Sequence, residues 1–240
     1  MTTEAAPKAP GQLRSFLRAV HPRQAVGFAL VVGLLVALIG RPVREVLVAA
    51  AAVLVAQLIM GLVNDILDAE VDRRSGATGK PIAEGTIPSG NASFAVAVLL
   101  LLVLPLSLQN GTTAGFLLLA TLVVGFVHNR WLKRTALSWV GWSATFALLT
   151  FFVTYGGWGR DAAGSAPFTS FVVLCAVLGF LVHFLTSLPD LVVDNKAMVR
   201  HLPLRVALRT GAPRLLVLTM VATVIVLGAI VWTTASPTPA

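Results

Sequence analysis

The sequence predicts an all-α polytopic membrane protein, a bundle of about seven transmembrane helices around a central cavity. Three observations carry that prediction. Of 240 residues, 57% are hydrophobic and only 12% charged, with a mean hydropathy of +0.87; no soluble domain of this size needs so much apolar surface. The apolar residues gather into runs at about 24–40, 43–63, 91–109, 114–128, 137–155, 168–189 and 214–233, most of them near the ~20 residues that cross a bilayer as a helix. The runs do not alternate apolar with polar residues as barrel strands would, so the spans are helices.

Each element follows in order. Residues 1–20 lack the apolar segment of a signal peptide, because the first run starts near Ala25, and they are expected to be a disordered tail. The first run should act as an uncleaved anchor. The second leads directly into Asn64-Asp65-Ile66-Leu67-Asp68-Ala69-Glu70-Val71-Asp72-Arg73. The fourth run is short, and spans only if it begins near Thr112 or continues through His128 and Asn129. Residues 21–235 form one transmembrane domain, and 236–240 a second disordered tail. Cys175 lies within a span and has no partner for a disulfide.

The basic residues set the orientation. If the N-terminus and the connections after spans two, four and six share one side, that side holds 15 of the 18 Lys and Arg, leaving Arg41, Arg44 and Arg160 opposite. The positive-inside rule makes the richer side cytoplasmic, and the host bilayer is expected to be the cell membrane. The net charge of +8 therefore reflects topology, and a nucleic-acid partner is excluded.

The long inward connections, about 64–90 and 189–213, hold seven of the ten acids. If the second helix continues, Asp65, Asp68 and Asp72 stand at i, i+3 and i+7 and share one face. Like charges so crowded call for a bridging cation. They also oppose the dipole of their own helix end, at up to about 1 kcal/mol each. A hard divalent ion binds through one or two carboxylates plus phosphate oxygens, and the Asn64 amide oxygen suits the same ion. Asp190 and Asp194, at i and i+4, form a second, smaller cluster on the same side. Together the clusters predict a metal–diphosphate site with metal ligands Asn64, Asp65, Asp68, Asp72, Asp190 and Asp194. Diphosphate keeps a surplus of negative charge, so Lys or Arg must complete the clamp; Lys80 and Lys133 are the leading choices, with Arg73, Arg134 and Arg200 nearby. His128 and Asn129 are placed to face the cavity, and His183, a polar group within a span, should face the bundle interior.

These motifs resemble those of a known family. Asn64-Asp65-x-x-Asp68-x-x-x-Asp72 followed by Gly79-Lys80-Pro81-Ile82-Ala83-x-Gly85 resembles the first signature of the UbiA superfamily of intramembrane prenyltransferases. Leu132-Lys133-Arg134-Thr135 is similar to a basic motif of that family, and Asp190-x-x-x-Asp194 with Arg200-x-Leu202-Pro203 to its second acidic signature. The Leu188-Pro189-Asp190 opening is similar to an actinobacterial subgroup.

The resemblance implies Mg2+-dependent transfer of a prenyl group from an isoprenoid diphosphate to a lipophilic, expected aromatic, acceptor through an allylic carbocation. Asp68, Asp72, Lys133, Asp190 and Asp194 would be catalytic. Asn64, Arg73, Lys80, His128, Asn129, Arg134 and Arg200 would bind substrate, and Trp142, Phe146, Phe151 or Phe184 would offer ring faces to the cation. Members usually have nine spans, so a chain of about seven is expected to be short at its C-terminus, with a second copy or a partner subunit in place of the missing helices. The second loop also lacks a third acid, having Met198 four residues after Asp194. A terpene cyclase, a phosphoribosyl-diphosphate transferase and a non-catalytic lipid-binding protein are the alternatives.

Overall fold

A computed structural model of the chain describes residues 12–158, 166–196 and 198–235, apart from the side chains of 12–14 and 235. The expected tails 2–11 and 236–240 lie outside the described residues. The elements are α1 (Gln12–Ala19), α2 (Pro22–Leu38), α3 (Val43–Ser75), α4 (Ser89–Leu108), α5 (Thr112–Val127), α6 (Ser138–Tyr155), α7 (Thr169–Ser187), α8 (Leu191–Lys196), α9 (Leu202–Thr210) and α10 (Ala212–Ala235). The described residues contain no strand.

The seven predicted runs coincide with α2 to α7 and α10. Five segments are long and apolar enough to cross a membrane: Val43–Ser75, Ser89–Leu108, Thr112–Leu132, Thr169–Lys196 and Ala212–Thr234. The second of the two inner helices that fall outside this set, α6, owes its lower hydropathy to Ser, Thr and Trp side chains. The first, α2, is apolar but only 17 residues long, about 26 Å at 1.5 Å per residue.

Residues 12–19 of the expected tail are helical. Phe16, Ala19 and Val20 recur at i, i+3 and i+4, a helical apolar stripe, and they pack with Leu62, Ala69, Ile82 and Ile87. Burial of that stripe holds α1 against α3, where a polar N-terminal tail would have stayed in water.

The helices α2, α3, α5 and α6 form a ring: α2 packs on α3, α3 on α5, α5 on α6, and α2 reaches α6 to close it. Helix α4 braces α3 and α5, α7 packs outside α6, and α10 outside α7. The largest core floors the ring with Val36, Val53, Val103, Leu118 and Phe152. Above that floor is a cavity of about 240 Å3.

Two glycines shape this frame. Gly76 ends α3 with φ 68°, its N–H and that of Ala77 returning to the carbonyls of Arg73 and Asp72; a left-handed residue at this position favours glycine. Gly179 lets α7 approach α6, since a Cβ there would stand 2.6 Å from the Trp142 carbonyl oxygen. Gly179→Ala is expected to destabilise the bundle by about 1–3 kcal/mol, measurable as a lower midpoint of thermal unfolding in detergent.

Candidate active site

Helix α3 does not stop at the end of its apolar stretch. It runs 33 residues, from Val43 to Ser75, so Asn64, Asp65, Asp68 and Asp72 stand on one continuous rod, as the i, i+3, i+7 spacing requires. Asp65 is 2% exposed. Its Oδ1 accepts from Lys80 Nζ at 2.8 Å and lies 3.0 Å from His21 Nε2. Lys80 Nζ also stands 4.0 Å from Asp72 Oδ2. Asp68 receives Lys133 Nζ on Oδ2 and Arg134 on Oδ1, the latter at 3.0 Å. Lys133 donates to the Asn64 amide oxygen as well, at 3.0 Å.

Local structure explains how these cations arrive. The loop after α3 is pinned by the buried Ile82 and Ile87, and the Ile87 N–H and Thr86 hydroxyl both bond to the Pro81 carbonyl. Glu84 accepts from the Gly79 N–H at 2.6 Å. Lys80 therefore leaves a fixed turn aimed at α3. Lys133 arrives through a π-helical turn, His128–Leu132, closed by the Lys133 N–H on the His128 carbonyl at 2.9 Å. An i→i+5 turn widens the helix end and leaves His128, Asn129 and Lys133 all lining the cavity.

The two lysines differ in their electrostatics. Burial pulls Lys80 down, but the hydrogen bond and charge of Asp65, with Asp72 and Asp68 behind it, outweigh this and hold the ammonium above the usual lysine value. Burial dominates at Lys133, which sits below that value despite Asp68. Lys80 is thus a fixed counter-charge, and Lys133 is the cation with most to gain from another anion.

The second cluster is built differently. Pro189 interrupts the helix after Ser187, and Leu188–Asp190 form a 3₁₀ turn before α8. Asp190 and Asp194 lie four residues apart across the junction of that turn with α8. Asp194 Oδ2 lies 2.9 Å from His201 Nε2. His201 Nδ1 accepts from the Leu204 N–H, so its proton must be on Nε2, which donates to Asp194. Ser138 Oγ anchors this corner, accepting from the Leu202 N–H and lying 2.9 Å from His183 Nε2.

The structure therefore gathers Asn64, Asp65, Asp68, Asp72, Lys80, Lys133 and Arg134, with His128 and Asn129 at the cavity wall. It does not bring in two of the predicted cations. Arg73 is exposed and paired with Glu70 at 2.6 Å, one turn back on its own helix, and Arg200 donates to Asn195. Of the candidate rings only Trp142 lines the cavity, joined by Phe28. Phe146 packs edge-on against Phe28, Phe151 stacks on Tyr155, and Phe184 is buried among Leu191, Leu204 and Leu215. His183 is buried within the bundle, as a polar group in a span requires.

Several groups escape the sequence reading: His21, His201, Ser138, Gln24 and Gln57. Gln57 carried a signal, a lone amide within an apolar run. His21 and His201 meet their aspartates only through folding.

The donor chemistry suits a hard divalent cation. Asp65 Oδ2 and Asp72 Oδ2 are buried without a hydrogen-bond partner, which is costly unless a cation completes them. Among the described residues no three His, Cys, Asp or Glu side chains converge as a preformed cage. Magnesium fits that shortfall, since it binds through few carboxylates and takes its remaining ligands from water and phosphate.

A profile of the UbiA prenyltransferase family matches residues 25–240. Among solved structures, a UbiA homolog from Archaeoglobus fulgidus bound to GPP and Mg2+ is similar with a TM-score of 0.72 at 16% identity, over 93% of this chain and 80% of that one. The same homolog bound to Cd2+ gives a TM-score of 0.69 at 15% identity, over 92% and 79%. A digeranylgeranylglyceryl phosphate synthase gives 0.61 at 20% identity, over 90% and 76%. No curated protein matches the sequence significantly. At these identities the structural likeness speaks for the fold alone. The family profile covers most of the chain, and with the apolar helices it makes this protein a multi-pass membrane member of the UbiA prenyltransferase family.

Proposed function

We propose that the protein transfers a prenyl group from an isoprenoid diphosphate to a lipophilic acceptor, with magnesium held between the aspartates and the diphosphate. The observation that carries the reading is a charged mouth on a partly apolar cavity. Asn64 and Lys133 belong to the aspartate cluster and also line the cavity, whose walls include Phe28, Met60 and Trp142. A molecule with a diphosphate head and a hydrocarbon tail fits that division.

Charge balance supports it. Asp65, Asp68 and Asp72 are matched by Lys80, Lys133 and Arg134. A prenyl diphosphate carries about three negative charges, so it enters a near-neutral cluster only with divalent cations. Asp65 and Asp72, each with a buried oxygen lacking a partner, would hold one magnesium, with Asn64 and Asp68 flanking it, and Asp190 with Asp194 would hold a second; the metal would stabilise charge on the departing diphosphate. Lys133 and Lys80 bind and orient the diphosphate. Its C–O bond breaks with the electron pair going to the diphosphate, and the allylic carbon bonds to the acceptor. The acceptor proton leaves to the diphosphate, so atoms and charge balance. Trp142 and Phe28 exclude water and offer ring faces to the cation.

The test is purified protein in lipid nanodiscs given donors of two, three and four isoprene units, with products read by mass spectrometry. Donor consumption that needs magnesium and stops with a chelator is expected. Consumption of phosphoribosyl diphosphate alone, or of no donor, overturns the reading.

A further inference from the structure

Asp190 and Asp194 sit on the stretch from Leu188 to His201, between α7 and α9. Both ends of that stretch return to one buried polar pair. At the far end, the first turn of α9 has N–H groups with no partner inside the helix. Pro203 has none, His201 Nδ1 accepts that of Leu204, and Ser138 Oγ accepts that of Leu202 at 3.2 Å. Ser138 opens α6 and is fully buried, and its Oγ is also 2.9 Å from Nε2 of His183, which is 5% exposed. At the near end, Ser187 Oγ donates to the His183 carbonyl at 2.8 Å and lies 3.5 Å from His183 Nδ1.

One arrangement of protons satisfies every group. Ser138 Oγ accepts from Leu202, and among the described residues its own proton has no acceptor except His183 Nε2. His183 Nδ1 then carries the ring proton and turns it toward Ser187 Oγ. The same ring backs the cavity wall. It stacks on Trp142 with centroids 5.9 Å apart and meets His128 edge-on at 6.1 Å, and both of those residues line the cavity. Between the anchored ends Met198 stands at φ 59°, a conformation that a bulky residue rarely adopts and that persists only where the surroundings impose it.

We infer that Ser138 and His183 are positioning residues that fix the Asp190–Asp194 loop against the cavity wall, and so set where a second metal meets the diphosphate. The inference rests on the prenyl-transfer reading only in that Asp190 and Asp194 hold a metal. Ser138 and His183 are not among the residues that line the cavity, so they act through the loop. An apolar pair would join α6 to α7 without desolvating polar groups, but it could not hold the Leu202 N–H. The residue before Leu202 is His201, whose ring bonds to Asp194, so the anchor lies one residue from a group that orients a metal ligand.

The test counts metal ions without requiring turnover. The whole protein in nanodiscs, saturated with the unreactive donor analogue geranyl S-thiolodiphosphate, is titrated with Mn2+. Bound ion is read from the loss of the free Mn2+ EPR signal against nanodiscs without protein, and the thermal midpoint of each variant is recorded. The wild type should bind two ions per chain and Asp194→Asn only one. Ser138→Ala and His183→Leu should weaken the second ion about tenfold and leave the first unchanged. His183→Gln, whose amide oxygen can take the Ser138 proton, should restore most of that loss. A single ion in the wild type overturns the inference. So does equal weakening of both ions alongside a lower thermal midpoint, with no rescue by Gln. Two ions bound as expected, with no donor consumed in magnesium, would remove the prenyl-transfer reading and leave the metal-positioning role in place.

Discussion

Asp68→Asn is expected to lower donor turnover roughly 10³-fold while leaving the bundle folded. Asp68 carries two cations, Lys133 on one oxygen and Arg134 on the other, and through Lys133 it ties the cavity mouth to the aspartate cluster. Losing its charge removes several kcal/mol of stabilisation from the departing diphosphate, and 1.4 kcal/mol is a factor of ten. The fold should survive because Asn preserves the shape, and the side chain is partly exposed, at 16%. The comparison is kcat under saturating donor and magnesium against the thermal midpoint. A variant as active as the wild type would put the metal elsewhere, and one that merely unfolds would make Asp68 structural.

His201→Phe should lower turnover about 10- to 100-fold, the cost common to losing a group that orients a metal ligand. His201 is not among the residues that line the cavity. Its fixed tautomer donates to Asp194 while the Leu204 amide holds its other nitrogen. Removing it frees Asp194 to turn away, so the magnesium concentration for half-maximal rate should rise more than the KM for donor. His201→Gln, which keeps a donor, should restore much of that loss. A purely structural His201 would shift stability and both constants together, with no rescue by Gln.

The sequence showed much of this arrangement, for reasons that can be stated. Helix spans follow from hydropathy, which is local, and the α3 aspartates needed only the period of a helix. Lys80 and Lys133 were readable because each follows a span on the same side as the acids. Arg73 and Arg200 satisfied the same criterion and went elsewhere: Arg73 had Glu70 three residues away, a nearer partner than any cluster across a loop. His21 meets Asp65 across 44 residues, and no local pattern announces such a pairing. The π turn was also hidden, since periodicity at 3.6 residues places Lys133 away from His128, and only the i→i+5 bond returns it.

The unbroken run of α3 has a consequence for how such an enzyme changes its substrates. One rod carries the aspartates at its end and Gln57, Met60 and Gly61 lower down, so the spacing between leaving group and deep wall is that of a rigid ruler. A shift of α3 that made room for a larger acceptor would carry the aspartates out of register. New specificities are therefore accessible on α2, α5 and α6, where Phe28, Thr121, Gly125, Trp142 and Thr145 face the same space and lie outside the aspartate cluster. Libraries for redesign belong on those three walls, with α3 kept as it is.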